Sequence, residues 1–435
     1  MSRARDNANL SPTIPDARMP NLTGDVTTVE GAVATTIADD AVTGAKIENN
    51  PTIAGNLTVS GDLVPSTTLS NRNMIINGGM QVFQRHPYQS PITSTSGYFT
   101  ADRWAIYEVS GATVTSEKHI MSVADLNTTG HGTALQLNCT VADTSVASGD
   151  YIFLRTSLEG QDIQRLQYGG ANAKNITLSF WVKSDKAGIY SVIFVKPSTT
   201  RYHVVKEFTI DSADTWEKKT ITVTPTEGST SLMTAPGGII DNTPTNGLSI
   251  NFTLMVGDSH EATKDIWVND ANAWGTNDQV NWANETNNFY LTGVQLELGS
   301  NATPFEHRSY GDELARCQRY FYMIADGSIG SISTSTGQST PIGIGAMYND
   351  TTINLVLPFP VEMRTEPTIY EVGGTDYFKG YTNSTGFVFN AGWSIRKMSP
   401  TCGNISSTTG TGTGGDSVWI ELDSQSAKLG FDAEL

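Results

Sequence analysis

A segment rich in tryptophan and amide side chains, Asp265–Tyr290, reads DIWVNDANAWGTNDQVNWANETNNFY. It contains Trp267, Trp274 and Trp282, three of the eight tryptophans of the chain. Sugar rings present apolar C–H faces that stack on aromatic planes, and their hydroxyls need fixed hydrogen-bond partners. The segment therefore predicts a glycan-binding loop, with Trp274 as its strongest candidate. The alternative is that Trp267 and Trp282 fill the core of the surrounding domain.

A second group of aromatic residues lies near the C-terminal end, where Tyr377, Tyr381 and Trp393 are interspersed with glycine and polar residues. Tyrosine and tryptophan are favoured interface anchors because each offers a large apolar area and a polar group. We therefore predict that these three residues contact a receptor. The alternative is that alternate aromatic residues of this region, such as Phe387 and Phe389, face a core between subunits.

No residue pattern in the chain predicts catalysis. The six histidines show no HExxH or HxH spacing, and no GxSxG elbow, P-loop or GxGxxG motif is present. The strings DRW at 102–104 and EHR at 306–308 combine opposite charges, but such pairs are more often structural than catalytic. We therefore predict a binding protein that is not an enzyme and needs no cofactor.

The charge balance argues against two classes of partner. The 435-residue chain carries 44 Asp and Glu against 27 Lys and Arg, a net charge of −17. Nucleic-acid binding needs clustered basic residues, and a bare anionic membrane repels an acidic protein. No apolar run approaches the roughly 18 residues of a membrane span. We predict neither nucleic-acid binding nor membrane insertion.

Cysteine usage and the first residues indicate where the protein is made. Cys139, Cys317 and Cys402 are far apart and odd in number, which predicts free thiols instead of a disulfide framework. The opening string MSRARDNANLSP lacks the apolar stretch of a secretory signal. Both features fit synthesis in a reducing cytoplasm.

Residues 1–70 differ in composition from the rest of the chain. They contain no aromatic residue, no cysteine, no histidine and a single lysine, Lys46. Such a segment cannot bury enough apolar area alone to offset the entropy of ordering it. It is therefore either disordered or wound with two other copies into an extended, intertwined shaft, whose narrow axis has no room for aromatic rings.

Residues 71–310 and 311–435 predict two β-rich domains. In NITLSFWV from Asn175 and LSINFTLMV from Leu248, apolar and polar residues alternate with the period of a strand that has one buried face. Several such segments between turn residues predict a central jelly roll or sandwich. The last block begins with GDELARCQRYFYM, a predicted helix with acidic residues in its first turn. Strand patterns follow it and predict a smaller antiparallel sandwich, so that the fold class is mainly β.

Several longer strings resemble bacteriophage tail-fibre and receptor-binding proteins. NRNMIINGGMQVFQR at 71–85 with FTADRW at 99–104 is similar to the start of the globular region in that family. TGVQLELGSNATPFEHRSYGDELARCQRYF at 292–321 resembles the close of the same domain, and LPFPVEMRTEPTIYE at 357–371 resembles the segment that follows. AVTGAKI at 41–47 is similar to the N-terminal shafts of such fibres, so the resemblance covers most of the chain.

The resemblance implies a homotrimeric virion appendage, a fibre of the phage tail. Its N-terminal segment would dock on a tail protein, and its C-terminal region would meet a polysaccharide or an outer-membrane protein of the host bacterium. The fibre would be assembled in the host bacterial cytoplasm and freed by lysis. The central domain is expected to look like a carbohydrate-binding module, a jelly roll that often holds a structural calcium ion; Asn77 and Glu297 are the candidate ligands.

Two other functions stay open. Some tail spikes cleave capsule polysaccharide, so a depolymerase or esterase is the first alternative, although the long solenoid repeat usual in such spikes is missing from this sequence. A structural tail adaptor that binds no host surface is the second. Experiments must therefore distinguish a protein that binds the host surface, one that cleaves its polysaccharide and one that does neither.

Overall fold

The computed structural model describes residues 70–435 except 199, 271, 330–339, 384, 391 and 409–411, together with Val26–Thr28 and Thr35–Ile37. The chain divides into two compact units, Met1–Pro65 and Ser66–Leu435. In the first unit, strands β1 (Val26–Thr28) and β2 (Thr35–Ile37) pair antiparallel. The rest of the predicted anchor and shaft lies outside the described residues and stays a prediction.

Twelve antiparallel strands build the larger part of the second unit. In chain order they are β3 (Tyr88–Ile92), β4 (Thr95–Tyr98), β5 (Ala105–Val109), β6 (Thr113–Ile120), β7 (Thr133–Val141), β8 (Tyr151–Glu159), β9 (Ile176–Ser184), β10 (Gly188–Lys196), β11 (Tyr202–Ile210), β12 (Glu217–Val223), β13 (Asn246–Val256) and β14 (Asn288–Leu298). The first sheet has the order β11-β10-β13-β8-β5-β4 and the second has the order β12-β9-β14-β7-β6-β3.

Side-chain alternation decides which residues of these strands enter the hydrophobic core. Leu178 and Phe180 of β9 and Ile250 and Phe252 of β13 are fully buried in one cluster that both sheets share. Successive residues of a strand point to opposite faces, so the residues between them face away from this core. The period-two patterns of the sequence and the mainly β, sandwich-like fold are thereby confirmed.

Two α-helices of the second unit begin at serine caps. Helix α1 (Val123–Thr129) begins after Ser122, whose side chain accepts a hydrogen bond from the backbone N–H of Asp125. Helix α2 (Tyr310–Gln318) begins after Ser309, which accepts from the N–H of Asp312. These caps satisfy N–H groups that have no partner inside a helix. The helix predicted from GDELARCQRYFYM is confirmed.

Among the described residues, ten further strands form the C-terminal part of the unit. They are β15 (Phe321–Asp326), β16 (Thr340–Asn349), β17 (Thr352–Pro358), β18 (Thr368–Val372), β19 (Phe378–Thr382), β20 (Thr385–Phe389), β21 (Ser394–Ser399), β22 (Cys402–Thr408), β23 (Ser417–Leu422) and β24 (Lys428–Asp432). A three-stranded sheet, β15-β24-β18, and a seven-stranded sheet, β20-β19-β23-β16-β17-β22-β21, share one core. All of their described pairings are antiparallel.

Buried charges join the last residues of the chain to the twelve-stranded sandwich. The side chains of Arg85 and Arg103 are 2% and 1% exposed, and both guanidinium groups bind the carboxylate of Glu434. Arg319 holds Glu159 of β8 through two hydrogen bonds of 2.7 and 2.8 Å. Paired, hydrogen-bonded charges of this kind tolerate burial because each compensates the lost hydration of the other.

The three cysteines agree with the expectation of free thiols. Cys139, Cys317 and Cys402 are free thiols, the first two of them buried. Within the described part of the chain, no helix has the length and apolar character needed to cross a bilayer.

Candidate glycan-binding site

The outer face of the first sheet, opposite the core, carries a row of aromatic side chains. Tyr107 of β5 pairs with Phe153 of β8 in the strand register, and Tyr151 is two residues before Phe153. The rings of Tyr107 and Phe153 stack with centroids 4.7 Å apart, and those of Phe153 and Tyr151 stack at 5.4 Å. Directly opposed side chains on one sheet face approach closely, which is why the rings line up.

Trp274 completes this row from a loop that folds over the sheet. Its indole packs edge-on against Tyr151 at 4.4 Å and against Phe153 at 4.9 Å between ring centroids. Edge-to-face packing is a favoured arrangement because the ring edge is positive and the ring face negative. We call Tyr107, Tyr151, Phe153 and Trp274 the aromatic patch. Phe153 is fully buried within it, whereas the other three rings are only half-buried.

Backbone hydrogen bonds hold the loop that carries Trp274. The N–H of Trp274 donates to the carbonyl of His260 at 2.9 Å, and the Thr253 hydroxyl donates to the carbonyl of Trp274 at 2.7 Å. The His260 ring stacks on the indole at 5.0 Å between centroids. The neighbouring Ala273 is fully buried against outer-face residues of β10 and β11. The position of Trp274 is thus set before any ligand binds.

Polar groups flank the aromatic patch. Arg155 of β8 donates from Nε to the side-chain oxygen of Asn251 on β13 at 2.8 Å. Its guanidinium lies 4.4 Å from the ring centroid of Tyr107 and 5.0 Å from that of Phe153. A cation over a ring face is attracted by the ring quadrupole, which fixes the long side chain. The site therefore combines rings for stacking with donors for hydroxyl or carboxylate oxygens.

Trp267 and Trp282 do not belong to this surface, which corrects their assignment as binding candidates. They are 1% and 0% exposed and lie in the core of the sandwich. The indole N–H of Trp267 donates to the carbonyl of Thr224 at 2.8 Å. A ring enclosed on all sides has no face for a sugar, so only Trp274 of the three remains a candidate.

The three receptor-binding candidates near the C-terminal end also differ in how deeply they are buried. Trp393 is 6% exposed and packs against Phe378 and Phe389, each at 5.8 Å between ring centroids, so it is a core residue and not a receptor contact. Tyr377 lies half-buried at the edge of the same core. Tyr381 lies on the opposite, outer face of β19, since its neighbours in the strand are the buried ones.

Sequence reasoning missed Trp419, which lies beside Tyr381. The two residues oppose each other between β19 and β23, and Ile344 of β16 opposes Trp419 on the other side. Trp419 is 45% exposed and Ile344 is 67% exposed. The sequence SVWIELD could have predicted this exposed position. Val418 and Ile420 point into the core, so Trp419 between them must point outward.

The two calcium candidates are occupied by hydrogen bonds within the protein. The side-chain oxygen of Asn77 accepts from the N–H groups of Gln81 and Val82 at 2.9 and 3.0 Å. The Glu297 carboxylate accepts from the N–H and hydroxyl of Thr303 and from Gln295. No cluster of three or more His, Cys, Asp or Glu suited to a metal ion occurs among the described residues. The geometry therefore does not support a calcium site built on Asn77 and Glu297.

Comparisons with known proteins give structural likenesses only. No family model and no curated protein sequence matches this chain. The family 11 carbohydrate-binding module of the cellulase Lic26A-Cel5E from Clostridium thermocellum is 17% identical over 51% of this chain and 97% of the module, with a TM-score of 0.25. The N-terminal cellulose-binding domain of Cellulomonas fimi β-1,4-glucanase C is 14% identical over 46% of this chain and 90% of that domain, with a TM-score of 0.23.

A bacteriophage protein is also among the structural neighbours. The enzymatically active domain of tailspike protein 4 of bacteriophage CBA120 is 12% identical over 52% of this chain, with a TM-score of 0.26. The match covers only 21% of the tailspike domain. Likenesses at these identities and TM-scores do not establish what this chain binds.

Proposed function

We propose that this protein is a non-enzymatic fibre of a bacteriophage tail that attaches the particle to its host by binding a surface glycan. The observation that supports glycan binding is the aromatic patch, whose three half-buried rings lie beside Arg155 and Asn251. Stacking surface and fixed polar groups within one face are what a sugar needs. Because the rings are held by strand register and by packing, little side-chain entropy is lost on binding.

The place of this protein in a virion is proposed from the sequence strings at 71–85, 99–104 and 292–321. In this proposal three copies form the fibre, and the N-terminal segment of each binds a tail protein. A weak glycan contact then suffices, since several linked copies act together and raise the avidity. A host outer-membrane protein is the second class of receptor.

The experiment that tests attachment uses the purified full chain and cells of the bacterium on which the particle grows. Fluorescently labelled protein should bind these cells, and periodate oxidation of the surface glycans should abolish the binding. Treatment of the cells with protease should leave it in place. Binding that survives periodate and disappears after protease would show that the receptor is a protein and not a glycan. No binding at all would favour a structural adaptor.

A second measurement separates binding from cleavage. Polysaccharide extracted from the host should keep its chain length after incubation with the protein, as measured by size-exclusion chromatography with light scattering. Shortened chains would identify a depolymerase. The same instrument should report a particle of about three times the chain mass of 46.8 kDa, and a single copy would overturn the proposed trimer.

A further inference from the structure

Arg155 and Arg201 lie on the face that carries the aromatic patch, and neither has an acidic partner among the residues that the structure describes. The sequence has a surplus of carboxylates, 44 against 27 basic residues. Elsewhere in the described chain, Arg85, Arg103 and Arg319 pair with carboxylates at the junction of the two parts of the unit. Among the described residues, no carboxylate lies within ion-pair distance of Arg155 or Arg201.

Strand register places the two arginines on the same side of the sheet. Arg155 of β8 opposes Asn251 of β13, which in turn opposes Ile193 of β10. Ile193 opposes Val205 of β11, and Arg201 directly precedes that strand, an even number of residues before Val205. Burial, followed by the positive charge of Arg155, lowers the pKa of Arg201. His203 in the same strand adds no charge at neutral pH, since burial and Arg201 lower its pKa to about 4.

The guanidinium of Arg155 is ready to bind an anion. Its Nε is used by Asn251 and its plane is held over the Tyr107 ring. Neither of its two terminal nitrogens bonds to another described residue. Guanidinium groups recognise carboxylates through paired N–H donors, and these charge-assisted bonds are roughly twice as strong as neutral ones. The hydroxyls of a neutral sugar would accept these N–H bonds but would leave the positive charge uncompensated.

We propose that the glycan bound at the aromatic patch is acidic, with a uronate carboxylate held by Arg155 while its sugar rings lie against the patch, and with Arg201 adding positive charge on the same face. This inference rests on the proposed glycan-binding function and names the class of ligand. It also accounts for how a chain with a net charge of −17 binds a polyanion, since the positive charge is local to the site.

The test uses the purified full chain and three uronate polymers, polygalacturonate, alginate and hyaluronate, each beside its own carboxyl-reduced, neutral derivative. Affinity electrophoresis at low and high salt should show binding of at least one uronate polymer. Its neutral derivative should bind at least about tenfold more weakly. Arg155→Gln and Arg201→Gln should each lower the affinity for the polyanion by about tenfold, and the affinity should fall with added salt.

Arg396→Gln is the matched control. Arg396 is exposed and lies over Tyr348 in the C-terminal part, so its removal changes the net charge equally without touching the patch. Arg155→Lys, which keeps the charge and loses the paired donors, should also bind more weakly, and circular dichroism should show that it is folded. Exposed Arg201 tests the proposal even if changes at Arg155 disturb packing.

The outcomes separate this inference from the proposed function. Equal binding of a polymer and its neutral derivative, lost in Trp274→Ala but kept in both arginine variants, would overturn the acidic ligand and leave glycan binding standing. If Arg396→Gln weakens binding of the uronate polymer as much as the patch variants do, the effect is one of overall charge. That result would also overturn the acidic ligand. Binding to none of the six polymers would count against both proposals.

Discussion

The indole of Trp274 packs edge-on against the phenol ring of Tyr151, with the ring centroids 4.4 Å apart. A residue of an irregular loop is thereby fixed on a residue of a central strand. The loop contributes the indole ring, and the sheet fixes the position of that ring. Binding surfaces built this way combine rigid support with loop side chains that evolution can exchange.

Trp274→Ala should weaken glycan binding by at least about tenfold, because the largest ring at the edge of the patch is lost. The free energy of unfolding should fall by only about 1 to 3 kcal/mol, since the indole is half-buried. Trp267→Ala is the contrasting variant: this indole is 1% exposed, and its loss should cost about 3 to 5 kcal/mol. Denaturant titrations and binding assays report both quantities. Unchanged binding in folded Trp274→Ala would remove the patch from the site.

Glu434→Gln should destabilise the protein strongly. Its carboxylate is 4% exposed and serves both Arg85 and Arg103, so neutralising it leaves two buried guanidinium groups undercompensated. Loss of one partner from a buried ion pair costs about 3 to 5 kcal/mol. Asp211→Asn is the control, because the Asp211 side chain that pairs with Lys219 is 72% exposed and its loss should hardly change the free energy of unfolding. Similar denaturation midpoints for the two variants would show that the junction is not held by Glu434.

Gly78→Ala should destabilise the start of the sandwich. A Cβ atom at Gly78 would lie 2.1 Å from the carbonyl oxygen of Val294, and backbone cannot move aside as a flexible side chain can. The N–H of Val294 donates to the carbonyl of Gly78 at 2.9 Å, so the clash would also break this contact. A cost of about 3 kcal/mol or more is expected. Gly132→Ala meets nothing within 4 Å and should leave the melting temperature nearly unchanged.

Acidification should unfold the protein partly through His203. This imidazole is fully buried, its Nδ1 lies 3.2 Å from the carbonyl oxygen of Ala273, and burial lowers its pKa to about 4 from the ordinary 6.5. Between these two values the unfolded chain binds the proton and the folded chain does not, so stability is lost as the pH falls. From pH 6.5 to 4.5 the loss should be about 2 to 3 kcal/mol. Urea titrations of wild type and His203→Asn isolate it, and equal pH slopes would contradict the assignment.

Trp419→Ser tests the outer face of the seven-stranded sheet. Trp419 is 45% exposed, so its replacement should change the free energy of unfolding by no more than about 0.5 kcal/mol. If Tyr381 and Trp419 contact the host, as the sequence predicts for Tyr381, adsorption to host cells should fall. Exposed Tyr348→Ser, on a neighbouring strand, serves as the matched surface change. Unaltered adsorption would exclude Trp419 from the contact.

Local structure could be predicted from the residue pattern alone. Alternation in NITLSFWV and LSINFTLMV identifies strands because a strand with one buried face imposes a period of two. The acidic residues at the start of α2 identify its first turn because the positive end of the helix dipole favours negative charge there. The resemblance of whole strings to tail fibres was likewise a property of the sequence and needed no coordinates.

Which tryptophans reach solvent depends on how distant parts of the chain pack together. Trp267, Trp282 and Trp393 stand in polar, turn-rich strings like that of Trp274, yet they are buried because distant segments close over them. The site joins Tyr107, Arg155 and Trp274 from two strands and a loop, and the junction joins Arg103 to Glu434 across 331 residues. Burial and charge pairing depend on which distant segments contact each other, and local sequence patterns do not contain that information.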